Sequence, residues 1–277
     1  MKKITCFFLV LLALVFIFPV LFLVVGSLMG KNELTDLLFP VLQEGAKGYA
    51  SWKLFPEYPT LKHYVEVLLD SPEFFVMFWN SVKITVGALA GGLLVGMPAA
   101  WGFAKFDFPG KNILFTLYIA LMMMPFQVTL LPQYIVSRKI GVYDTPLAMI
   151  LPGIFAPFAA FLLTQVMKTA PDDIIEAARL DTSSTLRIIW SIIIPSVKHG
   201  IICAWALTFT EQWNMVAEPL VLMETEEKYP LTVLLSGIKA GDVLGFAAAV
   251  VFSLLPLLIF TFFEEEIMDG LGEYKLK

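Results

Sequence analysis

From Ile4 to Gly30 the chain carries no charged side chain. As a helix rising 1.5 Å per residue this run is roughly 40 Å long, enough to cross a hydrocarbon core of about 30 Å with some tilt. Backbone that crosses lipid must satisfy its own hydrogen bonds, and an apolar run of this length does so as a helix. Lys2 and Lys3 resemble the start of a signal peptide, but the run is about twice the usual apolar segment of 7–15 residues and no A-x-A site follows. A retained first helix is expected, kinked at Pro19.

Further runs follow at Ile84–Ala104, Asn112–Ser137, Thr145–Met167 and Val243–Phe263. Their prolines (Pro125, Pro132, Pro146, Pro152 and Pro157 in two of them) would break a soluble helix, whereas neighbouring helices can re-satisfy freed carbonyls in a bilayer. Gly91, Gly92, Gly96 and Ala100 suit close helix contact. A fifth span is harder to place. The uncharged residues between Lys198 and Glu211 are too few, so it is expected to run to Leu222 and to contain Glu211, Gln212, Asn214 and Glu218. Carboxylates at such depth face a cavity or a partner. The expectation is an all-α membrane protein with six transmembrane helices.

Composition agrees. The chain is 58% hydrophobic and 16% charged, against about 45–50% and about 25% for soluble domains. A net charge of −5 and the lack of any basic run exclude nucleic acid as a partner. Cys6 and Cys203 lie in apolar segments without metal-binding spacing, and His63 and His199 are far apart, so no metal site is expected. With both termini cytoplasmic, the inner segments hold ten Lys and Arg and the outer ones eight, four of the eight in one long loop that counts less. Lys2, Lys3, Lys105 and Lys111 decide for that orientation in the cell membrane.

It places a polar island, residues 168–197, in the cytoplasm. Pro171, Asp172 and Asp173 suit a helix start. Ile174, Ile175, Ala177 and Ala178 supply an apolar face, and Glu176 and Arg179 are spaced to pair. Asp181, Thr182, Ser183, Ser184 and Thr185 read as a helix stop and a new cap, with Asp181 turning the chain. A second helix over Leu186–Ile194 ends near Pro195. A helix resting in headgroups carries basic residues opposite large apolar ones. Alanines beside an acid pair fit a protein partner better.

Glu176-Ala177-Ala178, then Asp181 and Pro195, with Ile189, Ile192 and Ile194 at apolar positions, resemble the EAA loop of permease subunits in bacterial and archaeal ABC importers. "TLKHY" (60–64), "NSVKITV" (80–86), "MMMPFQVTLLPQYI" (122–135) and "QWN…PLVL" (212–222) resemble the carbohydrate branch and its maltose-permease-like smaller subunit. Thr182-Ser183 depart from the family's usual Gly-Ala, which removes the easiest route to a positive φ.

The resemblance implies a type I ABC importer permease fold, with residues 1–76 as a first helix and outer loop and 77–277 as a five-helix core. It implies alternating access driven through Glu176, Ala177, Ala178, Arg179, Asp181, Thr182, Ser183 and Pro195. The implied partners are a second permease subunit, two ATP-binding cassette subunits, an extracytoplasmic solute-binding protein and a sugar. No catalysis and no cofactor fall to this chain; ATP and Mg belong to the partner ATPase. Side chains expected along a substrate pathway are Gln127, Glu211, Gln212, Trp213 and Asn214, since sugar sites combine aromatic faces with hydroxyl-binding groups. A stand-alone secondary transporter or channel would need inverted repeats or intramembrane charge pairs, and an intramembrane protease a placed nucleophile or paired aspartates. The sequence offers neither.

Overall fold

The structure, a computed structural model, describes residues 2–42, 49, 51, 53, 55–238 and 242–273. Lys47, Lys239, Lys275 and Lys277, which entered the charge balance, lie outside these. Among the described residues every regular element is helical. The helices are α1 (Lys2–Ser27), α2 (Lys31–Leu42), α3 (Lys62–Val65), α4 (Pro72–Lys105), α5 (Lys111–Met122), α6 (Phe126–Lys139), α7 (Leu147–Ile154) and α8 (Pro157–Thr169). They continue as α9 (Asp172–Asp181), α10 (Thr185–Ile188), α11 (Ile194–Ser196), α12 (Lys198–Trp213), α13 (Ala217–Leu222), α14 (Leu231–Ser236), α15 (Val243–Phe262) and α16 (Glu264–Glu273).

Four segments are long and apolar enough to cross a membrane: Thr5–Ser27, Pro72–Lys105, Leu147–Thr169 and Val243–Phe262. Two bent pairs, α5 with α6 at 103° and Thr185–Ser196 with α12 at 88°, bring the number to six if each pair counts as one span. Both differ from the continuous spans expected from the sequence. The third run does not merely kink. Pro125, at φ −56° and ψ 134°, holds extended backbone that separates α5 from α6. The fifth does not reach Leu222 as one helix. It stops at Trp213, and Asn214 caps the end, its amide (3.2 Å) and its Nδ2 (2.9 Å) both donating to Thr210 O. At 1.5 Å per residue, the 16 residues of α12 rise roughly 24 Å.

The chain divides into two compact units. One comprises the residues up to Phe78 together with Leu234–Leu255. Its core is Met29, Leu34 and Leu37 with Val243 of α15. The "TLKHY" stretch closes onto the end of α1: Thr60 N donates to Leu28 O (2.9 Å), and the Tyr64 hydroxyl meets Ser27 Oγ (2.6 Å). None of the spanning window of α1 is buried inside this chain, so its apolar surface is left for lipid or another subunit.

The second unit, Trp79–Val233 with the residues from Pro256 on, has two cores. Towards the C-terminal end of α4, Met97, Ala100 and Trp101 pack with residues of α8, α9, α10 and α12. Nearer its other end, Ile84 packs with Ala148, Met149, Leu222 and Met223. Beside this second core, Asn80 Nδ2 donates to Glu227 O (2.8 Å) and Tyr229 O (3.2 Å), and Ser81 Oγ accepts from Leu231 N (2.8 Å). The polar pair that opens "NSVKITV" thus pins α4 to the loop before α14. α16 lies on α12. A Cβ at Gly270 would stand 2.7 Å from His199 O, so this approach requires glycine.

Asp144 locks the loop before α7 to the segment after α13. Its carboxylate accepts from Lys228 Nζ (2.6 Å), Thr225 Oγ1 (2.6 Å) and the amides of Glu224 and Thr225 (both 3.0 Å). Its own φ of 57° is left-handed, a region that short polar side chains tolerate. Lys228, then Thr225 and the two amides, hold the carboxyl well below the usual range. A carboxylate whose pKa is depressed on folding stabilises above its unfolded value, about 3.9, and that stability is lost as pH falls through the lower folded value. Asp144→Asn tolerates the same backbone but loses the charge. It is expected to lower stability at neutral pH by about 1.5–3 kcal/mol, the worth of a hydrogen bond to a charged group. The deficit should be constant from pH 8 to about 5 and shrink only below about pH 4. Thermal unfolding of both proteins across this range measures it; a gap that closes between pH 8 and 6 would assign the effect elsewhere.

Candidate functional site

Two features carry function-bearing side chains: the polar island and a cavity. The island is built on a buried base. Ile175 and Ala178 of α9, Ile188 of α10, and Ile189 and Ile193 of the following π-helical turn (Ile189–Ile193) enter the core with α4, α8 and α12. This turn precedes Pro195, which lacks an N–H and needs room beside the carbonyl four residues back; a widened turn supplies that room. Lys105, at the end of α4, donates to Ala170 O and to the Asp172 carboxylate (both 2.7 Å), fixing the α8–α9 corner and lowering the Asp172 pKa.

The structure revises the apolar face of α9. Ala178 is 4% exposed, inside this chain's own core, whereas Ala177 and Ile174 are exposed. At 3.6 residues per turn Leu180 points away from Ile175 and Ala178, and it is 90% exposed. Leu186 and Trp190 are exposed on the second helix. These three large side chains were missed by a search for alanines. Their signal, apolar residues flanking a polar turn, was in the sequence.

The turn also differs from expectation. Asp181 is the last residue of α9 and caps nothing. Ser184 caps α10, its Oγ accepting from Arg187 N (3.4 Å), and Thr182 Oγ1 accepts from Ser184 N (3.3 Å). Thr182 is extended, φ −152° and ψ 141°, so the turn needs no left-handed residue there and the missing glycine is replaced by two hydroxyls. Ser183 and Pro195 are exposed. Among the described residues, the island's ion pair is Lys105–Asp172 and not Glu176–Arg179.

The cavity, of about 660 Å³, opens between α6, α7, α12 and α13. Glu211 and Gln212 line it, with Glu218, Gln133, Thr129 and Ser137, and with the rings of Phe126, Phe155 and Phe158. Gln127, Trp213 and Asn214 do not. Trp213 is buried and stacks on Phe209 at 5.5 Å between centroids; Gln127 is exposed on α6. Gly153 brings α7 against α4 and α12: a Cβ there would lie 2.6 Å from Ala88 Cβ and 2.9 Å from Gln212 Oε1. Gln133, six residues beyond Gln127, was passed over because the sequence does not reveal which side of α6 meets α7.

A family model described as "binding-protein-dependent transport system inner membrane component" matches residues 92–269. A putative ABC transporter permease from Caldicellulosiruptor sp. is 30% identical, over 91% of this chain and 93% of that protein. The arabinooligosaccharide permease AraQ of Bacillus subtilis is 28% identical over 95% and 92%. The lactose permease LacG of Rhizobium radiobacter is 26% identical over 72% and 75%. Among solved structures, a bacterial ABC transporter involved in import of the acidic polysaccharide alginate superposes with a TM-score of 0.75 at 20% identity, covering 94% of this chain and 93% of that one. The fold is that of an ABC importer permease.

Proposed function

The chain belongs to the family of binding-protein-dependent transport system inner membrane components, and from that premise we propose that it is the permease subunit of an ATP-driven importer of a sugar or oligosaccharide. The premise makes it a multi-pass membrane protein and a transporter component. Relatives named for arabinooligosaccharides and lactose support a saccharide as cargo.

One observation carries the mechanism: the island has a base buried among α4, α8 and α12 and a crest of exposed Leu180, Leu186 and Trp190. Large apolar side chains left exposed beside a polar turn suit a protein contact. On the cytoplasmic side this crest takes up the closing motion of a partner ATPase, which holds ATP and Mg. The buried base, with the Lys105–Asp172 tie, passes the displacement to α4, α8 and α12. Alternating access follows where the two states differ in affinity for the cargo.

The assembly comprises this chain, a second permease, two ATP-binding cassette subunits and an extracytoplasmic solute-binding protein, with both termini of this chain in the cytoplasm. Co-expression with the neighbouring genes and purification on this chain should recover the second permease and the ATPase, with saccharide uptake in reconstituted vesicles requiring ATP. Uptake by this chain alone, without an ATPase, would defeat the reading.

A further inference from the structure

We propose that the cavity between α6, α7, α12 and α13 selects an uncharged, hydroxyl-rich ligand and turns away its anionic counterpart. The inference rests on the transport reading above and names the chemistry of its cargo.

The charged side chains on the cavity wall are both carboxylates, and its other polar side chains are amides and hydroxyls. Gln212 is 7% exposed, and its Oε1 is buried without a hydrogen-bond partner; Gln133 Oε1 is buried and unpartnered as well. Glu211 and Glu218 contribute two carboxylates. Thr129 and Ser137 have their hydroxyl protons committed, Thr129 Oγ1 donating to Phe126 O (2.8 Å) and Ser137 Oγ to Tyr134 O (2.9 Å), so only oxygen lone pairs remain for a ligand. Among the described residues no Lys, Arg or His lines the space. The adjacent cation, Arg138, lies over the rings of Tyr143 (4.0 Å) and Tyr134 (5.3 Å).

Each amide side chain combines N–H donors with an acceptor oxygen, the two roles that a sugar hydroxyl answers. A sugar hydroxyl donates and accepts, whereas a carboxylate or phosphate only accepts. A uronate or sugar phosphate would therefore meet like charge on Glu211 and Glu218 with no base to answer it. Phe126, Phe155 and Phe158 offer apolar faces to the C–H surface of a pyranose or furanose.

The test is protection of a cysteine placed in the wall. Thr129→Cys and, separately, Ala156→Cys are introduced with Cys6→Ser into the complete transporter, reconstituted with its partners, and the rate of maleimide labelling is followed. The neutral probe is a saccharide that the complex takes up, arabinobiose and lactose being tried first. Digalacturonate is the anionic probe and a glucosamine dimer the cationic one. At about ten times its dissociation constant the neutral probe should slow labelling about tenfold, while digalacturonate at the same concentration leaves it unchanged. Gln212→Leu should abolish the neutral protection, and Glu211→Gln with Glu218→Gln should admit digalacturonate. Protection by digalacturonate in the unaltered site, or stronger protection by the glucosamine dimer, overturns the proposal. So does saccharide uptake with no protection at either cysteine, although the transport reading then survives. A complex that takes up no saccharide defeats the transport reading and this inference with it.

Discussion

Replacing Ala178 with glutamate is expected to remove most of the folded protein from the membrane, while Ala177→Glu, one residue earlier, accumulates normally. Ala178 shares the buried hydrophobic core of Ile175, Ile188, Ile193 and Trp101, and the neighbouring Lys105 is already held by Ala170 O and Asp172. An isolated charge in such surroundings costs several kcal/mol, and the added volume of the side chain costs about 1–3 kcal/mol more. Against a total stability of about 5–15 kcal/mol this is a large fraction. Ala177 is exposed and its carboxylate variant stays hydrated. Detergent-extracted yield and melting temperature, measured side by side, decide the matter; equal yields and equal melting for both variants would contradict the burial of Ala178. The pattern of the motif suggests that both alanines face a partner, but only Ala177 is exposed.

Leu180→Glu is expected to do the opposite: the protein folds and inserts, but substrate-stimulated ATP hydrolysis and transport are both lost. Leu180 is 90% exposed, so a glutamate there disturbs no packing within this chain. If the crest docks an ATPase, a carboxylate at that contact acts as a large interface substitution, worth at least about 2 kcal/mol, which is more than tenfold in the docking equilibrium. Substrate-stimulated ATP hydrolysis and uptake in reconstituted complexes should therefore fall together by about tenfold or more, with Leu180→Ala intermediate. Unchanged stimulation by Leu180→Glu, at normal expression, would remove the crest from the coupling path.

The membrane class was legible because it depends on composition over long windows, and neither Ile4–Gly30 nor Val243–Phe263 has an alternative to burial in lipid. The island was legible for the converse reason: a run of Asp181, Thr182, Ser183 and Ser184 between apolar stretches breaks a helix and caps the next one. Even its hydroxyl chemistry was written there. Thr182 and Ser184 satisfy the turn's amides from side chains four atoms or fewer from their own backbone, so no distant contact is needed.

What needed the tertiary structure was direction. In water, a helix shows its inner face by periodicity, because one side must be polar. Within lipid both sides are apolar, and that signal vanishes. Nothing along α6 therefore distinguishes Gln127 from Gln133, and the choice falls to the 103° bend between α5 and α6 and to the close approach at Gly153. The end of α12 is likewise marked by Asn214, whose amide and side chain both donate to Thr210 O, and a hydropathy count does not register it. On α9 the sequence fixes an apolar stripe, and the packing of α4, α8 and α12 decides that Ile175 and Ala178 enter the core while Leu180 remains outside. Local chemistry decides where a chain turns; which side of each helix faces in depends on the neighbours, because only they complete the packing.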